Sequence, residues 1–525
     1  MSSRYRSSDS FFRNCRIMTF DSKNKVARAM VVTDGRIAEV GDDAEVKRSV
    51  PRGCDRYDLG GRVVIPGFID CHTHFIQMGI DALNVNLSGA MSLNDALAMI
   101  RGAARTTPEG EWVISANWKE SGWSDGRFIT RQDLDSCCPN NPAVAHRVCG
   151  HLSTVNSRGL ALLEIDSKIP DVDLNKGILK EDAVGIIRSA TAPSWKQKIG
   201  ALKVATRMAH ALGVTSVNDN GGTDDFKVYM DAEKRDRLGV RVWFNSPSHV
   251  MDSRIKLGIS TGLGSEWLKM GGVKIFCDGA LGARTAALSR EYADDPGNKG
   301  KLVREKSELE SIVQKAHIAD IQVAVHAIGD LGISAALSAL ARAQDSDRSK
   351  QLRHRIEHLE LPSNQHLRTM HELRVIASMQ PNFVGEWGGT DGMYRARLGS
   401  ERTAMNNPFR KALEARVKLV FGSDCMPFSP LYGIHSAVNA PYESQRISPY
   451  EALAAYTRDA AYASFGETQK GKLSKGNLAD FAVLSRDPLA EPGEIRSLHV
   501  TETVLGGQVV YERAKRKTGA HRRAG

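Results

Sequence analysis

The chain has 525 residues, more than one small hydrophobic core holds, so we expect a large domain with appended elements. Its 41% hydrophobic and 25% charged residues are typical of a soluble globular protein, and no apolar run reaches the length of a membrane span. The start, MSSRYRSSDSFFRN, lacks the apolar stretch of a signal peptide, so we expect a cytoplasmic protein that does not bind membranes.

The net charge of +10 is concentrated at one end of the chain. After Glu512 the sequence RAKRKTGAHRRAG holds six Lys and Arg residues and no acid, which predicts a basic disordered tail over 513–525. The rest of the chain has no basic stripe, so a nucleic-acid partner is not favoured. The eight cysteines are scattered, and we expect small buried residues rather than disulfides.

Short β-rich runs occupy both ends of the chain. Residues 1–62 contain RNCRIMTF and ARAMVVTDGRIAEVG, and residues 466–512 contain DFAVLS, LHVTETVL and QVVYE. Because neither set can bury a face alone, we expect them to form one composite β-sandwich.

Between these ends, short apolar strands alternate with helical stretches. The first strand, VVIPGFIDCH, lies in 63–84, and seven more follow in 206–465: GVTSVND, VRVWFN, GVKIFCDG, IQVAVHAIGD, RHRIEHLE, RVIASMQP and VKLVFGSD. Eight strands with helical crossovers predict an α/β fold, a (β/α)8 TIM-type barrel. The gap over 85–205 is too long for one crossover and contains its own strands and helices, so we expect an inserted α+β subdomain after the first barrel strand.

Two histidines, His72 and His74, lie at the end of the first predicted barrel strand. Residues i and i+2 share one face of a strand, so the two rings lie together, and Asp70 joins them if the strand stays extended. An HxH pair alone is weak evidence for metal binding. Active sites of barrels form at the carboxyl ends of the strands, and further polar side chains fall near that end: Lys274, His326, His358 and Asp424. The converging histidines predict a metal site.

Lys274 is flanked by the apolar residues Val273, Ile275 and Phe276. A buried, unpaired ammonium is costly, so the lysine must be neutralised or paired. Reaction with carbon dioxide would make a carbamate, a carboxylate-like ligand able to bridge two metals. The alternatives are an ion pair with Asp278 or Asp424, or a charged contact to substrate.

Asp424, in FGSDCMP, is the candidate catalytic residue. A carboxylate beside the metal can take a proton from water, whose pKa zinc lowers to about 7. It can then return the proton to a leaving nitrogen. The alternative, a helix N-cap, is less favoured beside these histidines.

The chain resembles the amidohydrolase superfamily, in particular the branch called amidohydrolase family 3. The similar blocks are VIPGFIDCHTHF, HLSTVNSRGL, GILKE, GVKIFCDGALGARTAAL, VHAIGD, RIEHLE, FGSDCMP and GNLADFAVLSRDPL, which span nearly the whole chain. The resemblance implies a barrel with a composite β-sandwich and one or two divalent ions, with zinc expected. The implied ligands are His72, His74, Lys274, His326, His358 and Asp424. The branch includes N-substituted formamide deformylases.

Five further residues are secondary candidates. His151 and Asn156 match a block that would border the substrate pocket; the alternative is that they cap or tie a loop. Arg284 would clamp a substrate carbonyl or carboxylate, unless it forms a surface ion pair. Asp330 and Glu357 would orient metal-ligand histidines by accepting hydrogen bonds.

We therefore expect a metal-dependent hydrolase of non-peptide carbon–nitrogen bonds, of amide or N-substituted formamide type, with a small-molecule substrate. One alternative is a hydrolase of cyclic amides or lactone-like esters, which needs the same chemistry in a differently shaped pocket. Another is a non-catalytic regulatory or scaffold protein, which is disfavoured because no ligand position is lost. Assembly as a homo-oligomer stays open.

Overall fold

The structure, a computed structural model, describes residues 9–22, 26–148, 152–165, 169, 171–180 and 182–514. The chain divides into two compact units. One comprises Met1–Phe75 with Thr206–Gly525, and the other comprises Ile76–Ala205. Two helices, Phe75–Leu83 and Trp195–Ala211, contain the boundaries between the units.

An eight-stranded parallel sheet forms the centre of the larger unit. Its strands are β1 (Phe68–Thr73), β2 (Val214–Asp219), β3 (Arg241–Pro247), β4 (Leu268–Phe276), β5 (Val323–Ala327), β6 (Arg355–His358), β7 (Ile376–Met379) and β8 (Leu419–Phe421). After β8 the chain returns to β1, where the Asp424 N–H donates to the His72 carbonyl at 2.8 Å. The predicted TIM-type barrel is confirmed. The first predicted strand, VVIPGFIDCH, is divided in two: Phe68–Thr73 belongs to the barrel, whereas Val63–Pro66 pairs with Phe481–Leu484 in a different sheet.

Helices lie between the barrel strands and after the last of them. They are Thr223–Lys234, Met251–Lys256, Lys306–Ile318, Asp330–Ser346, Asn364–Glu372, Pro381–Trp387, Met393–Thr403, Phe409–Glu414, Pro430–Val438, Pro449–Ala455 and Arg458–Ala463, with 3-10 turns at Ser248–Val250 and Pro492–Ser497. Local sequence determines where several of these helices begin. At Pro449–Ala455, Ser448 and Glu451 form a capping box around a proline in the first turn.

Two sheets form the composite sandwich, one built from N-terminal strands alone and the other from strands of both chain ends. The four-stranded sheet has the order Arg36–Gly41, Ala29–Thr33, Ser10–Arg13, Asp55–Asp58, with Asp43–Val46 and Lys47–Ser49 as short helical turns. The six-stranded sheet has the order Gln508–Glu512, Val500–Leu505, Phe481–Leu484, Val63–Pro66, Arg16–Met18, Val26–Ala27. Phe12, Ile17, Val64, Phe481 and Val504 share one core, so residues from the two ends pack together as predicted.

The smaller unit is a mixed α+β structure. Its sheet has the order Val172–Asp173, Ile178–Lys180, Leu152–Val155, Ala143–Arg147, Val113–Trp118, Val85–Asn86. Its other helices are Leu93–Ala104, Arg131–Cys137, Ser157–Leu162 and Asp182–Ala190, with a 3-10 turn at Glu120–Gly122.

Three sequence expectations concern the surface and the cysteines. Among the described residues, no helix has both the length and the apolar character needed to cross a membrane. All the described cysteines are free thiols: Cys15, Cys54, Cys71, Cys137, Cys138, Cys277 and Cys425. Most of the predicted tail, 515–525, lies outside the described residues.

Candidate metal centre

The barrel brings the six expected ligands to the carboxyl ends of its strands. His72 belongs to β1, Lys274 to β4, His326 to β5 and His358 to β6, while His74 and Asp424 follow β1 and β8. Parallel strands present their carboxyl ends at one rim, so residues distant in sequence converge there.

Three of these residues bring their ligand atoms close together. The ligand atoms of His72, His358 and Asp424 all lie within 4.8 Å of one another. Asp424 Oδ1 is 3.7 Å from His72 Nε2 and 3.3 Å from His74 Nε2. The His326 ring adjoins that of His358, with centroids 4.4 Å apart. This spacing places several metal-ligand atoms around one point.

Each histidine uses one ring nitrogen for a contact with a supporting oxygen atom. Nδ1 of His72, His74 and His358 contacts Glu357 Oε2 (2.5 Å), the Asn220 carbonyl (3.0 Å) and Gln380 Oε1 (2.8 Å). His326 is reversed, because its Nε2 contacts the Gly279 carbonyl at 3.0 Å. Oxygen acceptors require the contacting nitrogen to donate, so in the neutral ring the opposite nitrogen holds a lone pair. Four such imidazoles and a carboxylate are donors that a divalent metal such as zinc binds, so the residues fit a metal.

The protonation states of these groups also fit metal binding. Burial lowers the pKa of His72 and His358 well below the usual value, and lowers the pKa of His326 to about 4. Burial acts in the same direction on His74, but the contact with Asp424 outweighs it and raises that pKa. For Asp424, burial acts to raise the pKa, yet His72 and His74 lower it overall. At neutral pH three rings are therefore uncharged and Asp424 is a carboxylate.

Lys274 is buried beside this group. Its Nζ lies 3.1 Å from His72 Nε2 and 5.2 Å from the ring centroid of Phe276. Burial lowers the pKa of Lys274 to about 8. Within the described part of the chain, no carboxylate forms the predicted alternative ion pair with Lys274; Asp278 instead accepts three backbone N–H groups at 2.8–3.0 Å.

The backbone around the ligands is locally unusual. His358 (φ 73°) and Asp424 (φ 51°) are in the left-handed region, which is uncommon for residues other than glycine and recurs at functional sites. A Cβ at Gly422 would lie 2.4 Å from the His72 backbone nitrogen. Glycine in FGSD therefore permits β8 to approach β1 closely enough to place Asp424 beside the histidines.

The two predicted supporting acids differ in position. Glu357 Oε2 contacts His72 Nδ1 at 2.5 Å. Asp330 begins the helix Asp330–Ser346, and its Oδ1 accepts the Ser289 N–H at 2.9 Å; among the described contacts it meets no ligand histidine.

Two of the predicted substrate residues have contacts that match the alternatives. His151 lies outside the described residues. Asn156 is fully buried and caps the helix Ser157–Leu162, where its Oδ1 accepts the Gly159 N–H at 2.9 Å, so the capping alternative describes its contacts. Arg284 forms the alternative surface ion pair, with Nη2 at 2.9 Å from Asp294 Oδ2.

Three residues make supporting contacts that the sequence did not predict. Asp70 accepts the N–H groups of His72 (3.1 Å) and Ser423 (2.9 Å), which joins β1 to the segment after β8. Gln380 and Arg355 support His358 and Glu357. Their only sequence signal is a polar residue within or directly after a buried strand.

Comparison with known proteins places this site in context. Residues 55–511 match the family described as "Amidohydrolase family". The Protein LONG AFTER FAR-RED 3 of Arabidopsis thaliana is 31% identical, over 96% of this chain and 91% of its own length. The N-substituted formamide deformylase of Arthrobacter pascens is 27% identical, over 95% of this chain and 98% of its own length. The crystal structure of an uncharacterized metal-dependent hydrolase from Pyrococcus furiosus superposes with a TM-score of 0.81 at 30% identity, over 92% of this chain and all of that one. The matched residues 55–511 contain all eight barrel strands and the whole smaller unit.

Proposed function

Because this chain belongs to the amidohydrolase family and is a metal-dependent hydrolase, we propose that it hydrolyses a non-peptide carbon–nitrogen bond in a small amide or N-substituted formamide. The observation that supports hydrolysis most directly is the convergence of His72, His358 and Asp424 ligand atoms within 4.8 Å. The formamide type is supported by similarity to the Arthrobacter pascens deformylase, which is similar along nearly its whole length.

A bound divalent ion, for which we propose zinc, would be held by the four histidines and Asp424 and would supply Lewis acidity to the reaction. Asp424 would accept the proton of the attacking water on its carboxylate and return it to the leaving nitrogen. Its lowered pKa keeps it unprotonated before the reaction, as a general base must be. The supporting contacts of the four rings fix their orientation, so little reorganisation is needed.

We also propose that Lys274 becomes a carbamate. Its lowered pKa leaves a sizeable fraction of neutral amine near neutral pH, and the neutral amine is the form that attacks carbon dioxide. The Nζ lone pair forms a bond to the carbon of carbon dioxide while one C=O π bond breaks toward oxygen. Nζ then releases a proton to water, and a negative carboxylate-like group results. That group would add an oxygen ligand next to His72, which lies 3.1 Å from Nζ.

The test is hydrolysis by purified, metal-loaded protein of a panel containing formamides, acylated amines, cyclic amides and lactones. We expect release of free amine from the first two classes, with metal-free protein as the matched control. Turnover restricted to cyclic amides or lactones would replace the proposed bond class. Failure of every class would remove the proposed activity.

A further inference from the structure

Arg355, on β6, is fully buried beneath the metal-ligand cluster. Its Nε donates to Glu357 Oε1 at 2.7 Å and its Nη2 contacts Glu357 Oε2 at 3.2 Å. Glu357 is also fully buried, so neither group exchanges its partner for bulk water. A two-point Arg–carboxylate contact fixes the plane of the carboxylate as well as its charge.

The same carboxylate controls the His72 ring. Glu357 Oε2 lies 2.5 Å from His72 Nδ1, so a charged acceptor sits on that nitrogen. The proton is therefore placed on Nδ1, and Nε2 is left to face Lys274 Nζ at 3.1 Å and Asp424 Oδ1 at 3.7 Å. Arg355 and the His72 ring are therefore joined through one carboxylate.

Arg355 also holds the backbone next to His72. Its Nη2 donates to the Cys71 carbonyl at 2.6 Å and to Ser378 Oγ, on β7, at 2.9 Å. The β1–β2 ladder shifts register between Asp70 and Thr73, so this part of β1 is not held by regular pairing on that side. One guanidinium thus connects β1, β6 and β7 at the level of the ligands.

The other ligand histidines have different support. Among the described contacts, His358 is held by an amide oxygen and His74 and His326 by backbone carbonyls. His72 alone in this set rests on a carboxylate that is itself paired with a cation. We infer that Arg355 is a positioning residue that acts through Glu357 to orient His72 for metal binding. The inference rests on the metal centre of the proposed function and not on the bond that is hydrolysed.

The test uses Co²⁺ binding to the full-length metal-free protein, followed by the visible absorption of the bound ion. Arg355→Met and Glu357→Gln should each weaken Co²⁺ binding by about 10- to 100-fold, the usual effect of removing a residue that supports a metal ligand. Both should alter the absorption spectrum in the same way. If Arg355 acts through Glu357, adding Arg355→Met to Glu357→Gln should weaken binding no further.

Arg355→Met leaves a buried carboxylate without its cation and can fail to fold. The double variant removes both charges and keeps the measurement available. Arg355→Lys, which retains the charge but not the planar fork, should restore part of the affinity.

Arg241→Met is a matched control, because Arg241 and Asp480 form another buried two-point pair, at 2.6 and 2.9 Å. Arg241 is the first residue of β3, at the opposite end of the barrel from the ligands. The variant Arg241→Met should have lower thermal stability, while its affinity for Co²⁺ and the spectrum of the bound ion should match those of the parent.

Parent-like affinity and spectrum in the Arg355 variants would show that Arg355 only stabilises the barrel, and would overturn the inference. An equal loss of affinity in Arg241→Met would overturn it as well. Absence of Co²⁺ binding by the parent would remove the metal centre and the inference together. Because the Co²⁺ measurement uses no substrate, its result does not depend on the outcome of the hydrolysis panel.

Discussion

Replacing Asp424 with asparagine removes a proton acceptor while nearly preserving the shape of the side chain. The backbone position should be retained, because it depends on the Asp424 N–H bond to the His72 carbonyl and on the close approach of Gly422 to β1. Asp424→Asn therefore tests the chemistry of one carboxylate separately from the geometry of the barrel.

The expected loss is large. A positioned general acid–base group contributes roughly 10²- to 10⁴-fold to the rate. At about 1.36 kcal/mol per tenfold change, that range corresponds to about 3–5 kcal/mol of transition-state stabilisation. Metal binding should fall much less, because His72, His74, His326 and His358 keep the supporting contacts that orient their rings.

The assay compares kcat with the metal content of the same sample, measured by elemental analysis. Asp347→Asn is the control; this half-buried aspartate follows the helix Asp330–Ser346 at the other end of the barrel, and its replacement should leave both values unchanged. If Asp424→Asn kept its metal and turned over substrate within a few-fold of the parent, another residue would be the proton acceptor. If it lost its metal completely, Asp424 would be chiefly a ligand.

Three further predictions concern the metal, the lysine and a buried acid. Chelation should abolish hydrolysis, and adding zinc back should restore it; activity that survives complete removal of metal, checked by elemental analysis, would exclude a metal-dependent reaction. Lys274→Ala should lower metal content, and short carboxylic acids should partly restore activity by occupying the vacated space; a variant that kept its metal and ignored the acids would indicate a plain ammonium. Burial raises the pKa of Glu360 to about 7, so the folded protein holds this proton more tightly than the unfolded chain between about pH 4.5 and 7. As the pH rises from about 4.5 to 7, the free energy of unfolding of the parent should therefore fall, relative to that of Glu360→Gln, by up to about 3 kcal/mol. Parallel plots of melting temperature against pH for the two proteins would refute this assignment.

Local patterns account for the part of the molecule that the sequence predicted. The eight barrel strands are short apolar runs separated by crossovers, and the resulting fold was confirmed. Because all eight strands are parallel, polar residues near their carboxyl ends must meet at one rim. This rule, with the family resemblance, brought His72, His326, His358 and Asp424 together before any distance was known.

The supporting contacts depend on register and direction, which local patterns do not contain. Asp330 and Glu357 were equivalent in sequence terms, since each lies close to a ligand histidine. In the fold Glu357 is one residue before His358 but faces His72 across the barrel, while Asp330 turns to the Ser289 N–H at a helix start. Choosing between them requires the side-chain direction at each strand end.

Arg355 shows which signal was available and why it was insufficient. In RIEH, Arg355 and Glu357 stand two residues apart on a buried strand, so alternation places opposite charges on one face. Buried charges are costly unless paired, so the pair itself could be inferred from the sequence. The elements that the pair contacts could not be inferred in this way, because the contact with Cys71 depends on the irregular β1–β2 register and on closure of the barrel. Local alternation thus predicts which side chains are paired, and the closed barrel determines which metal ligand the pair supports.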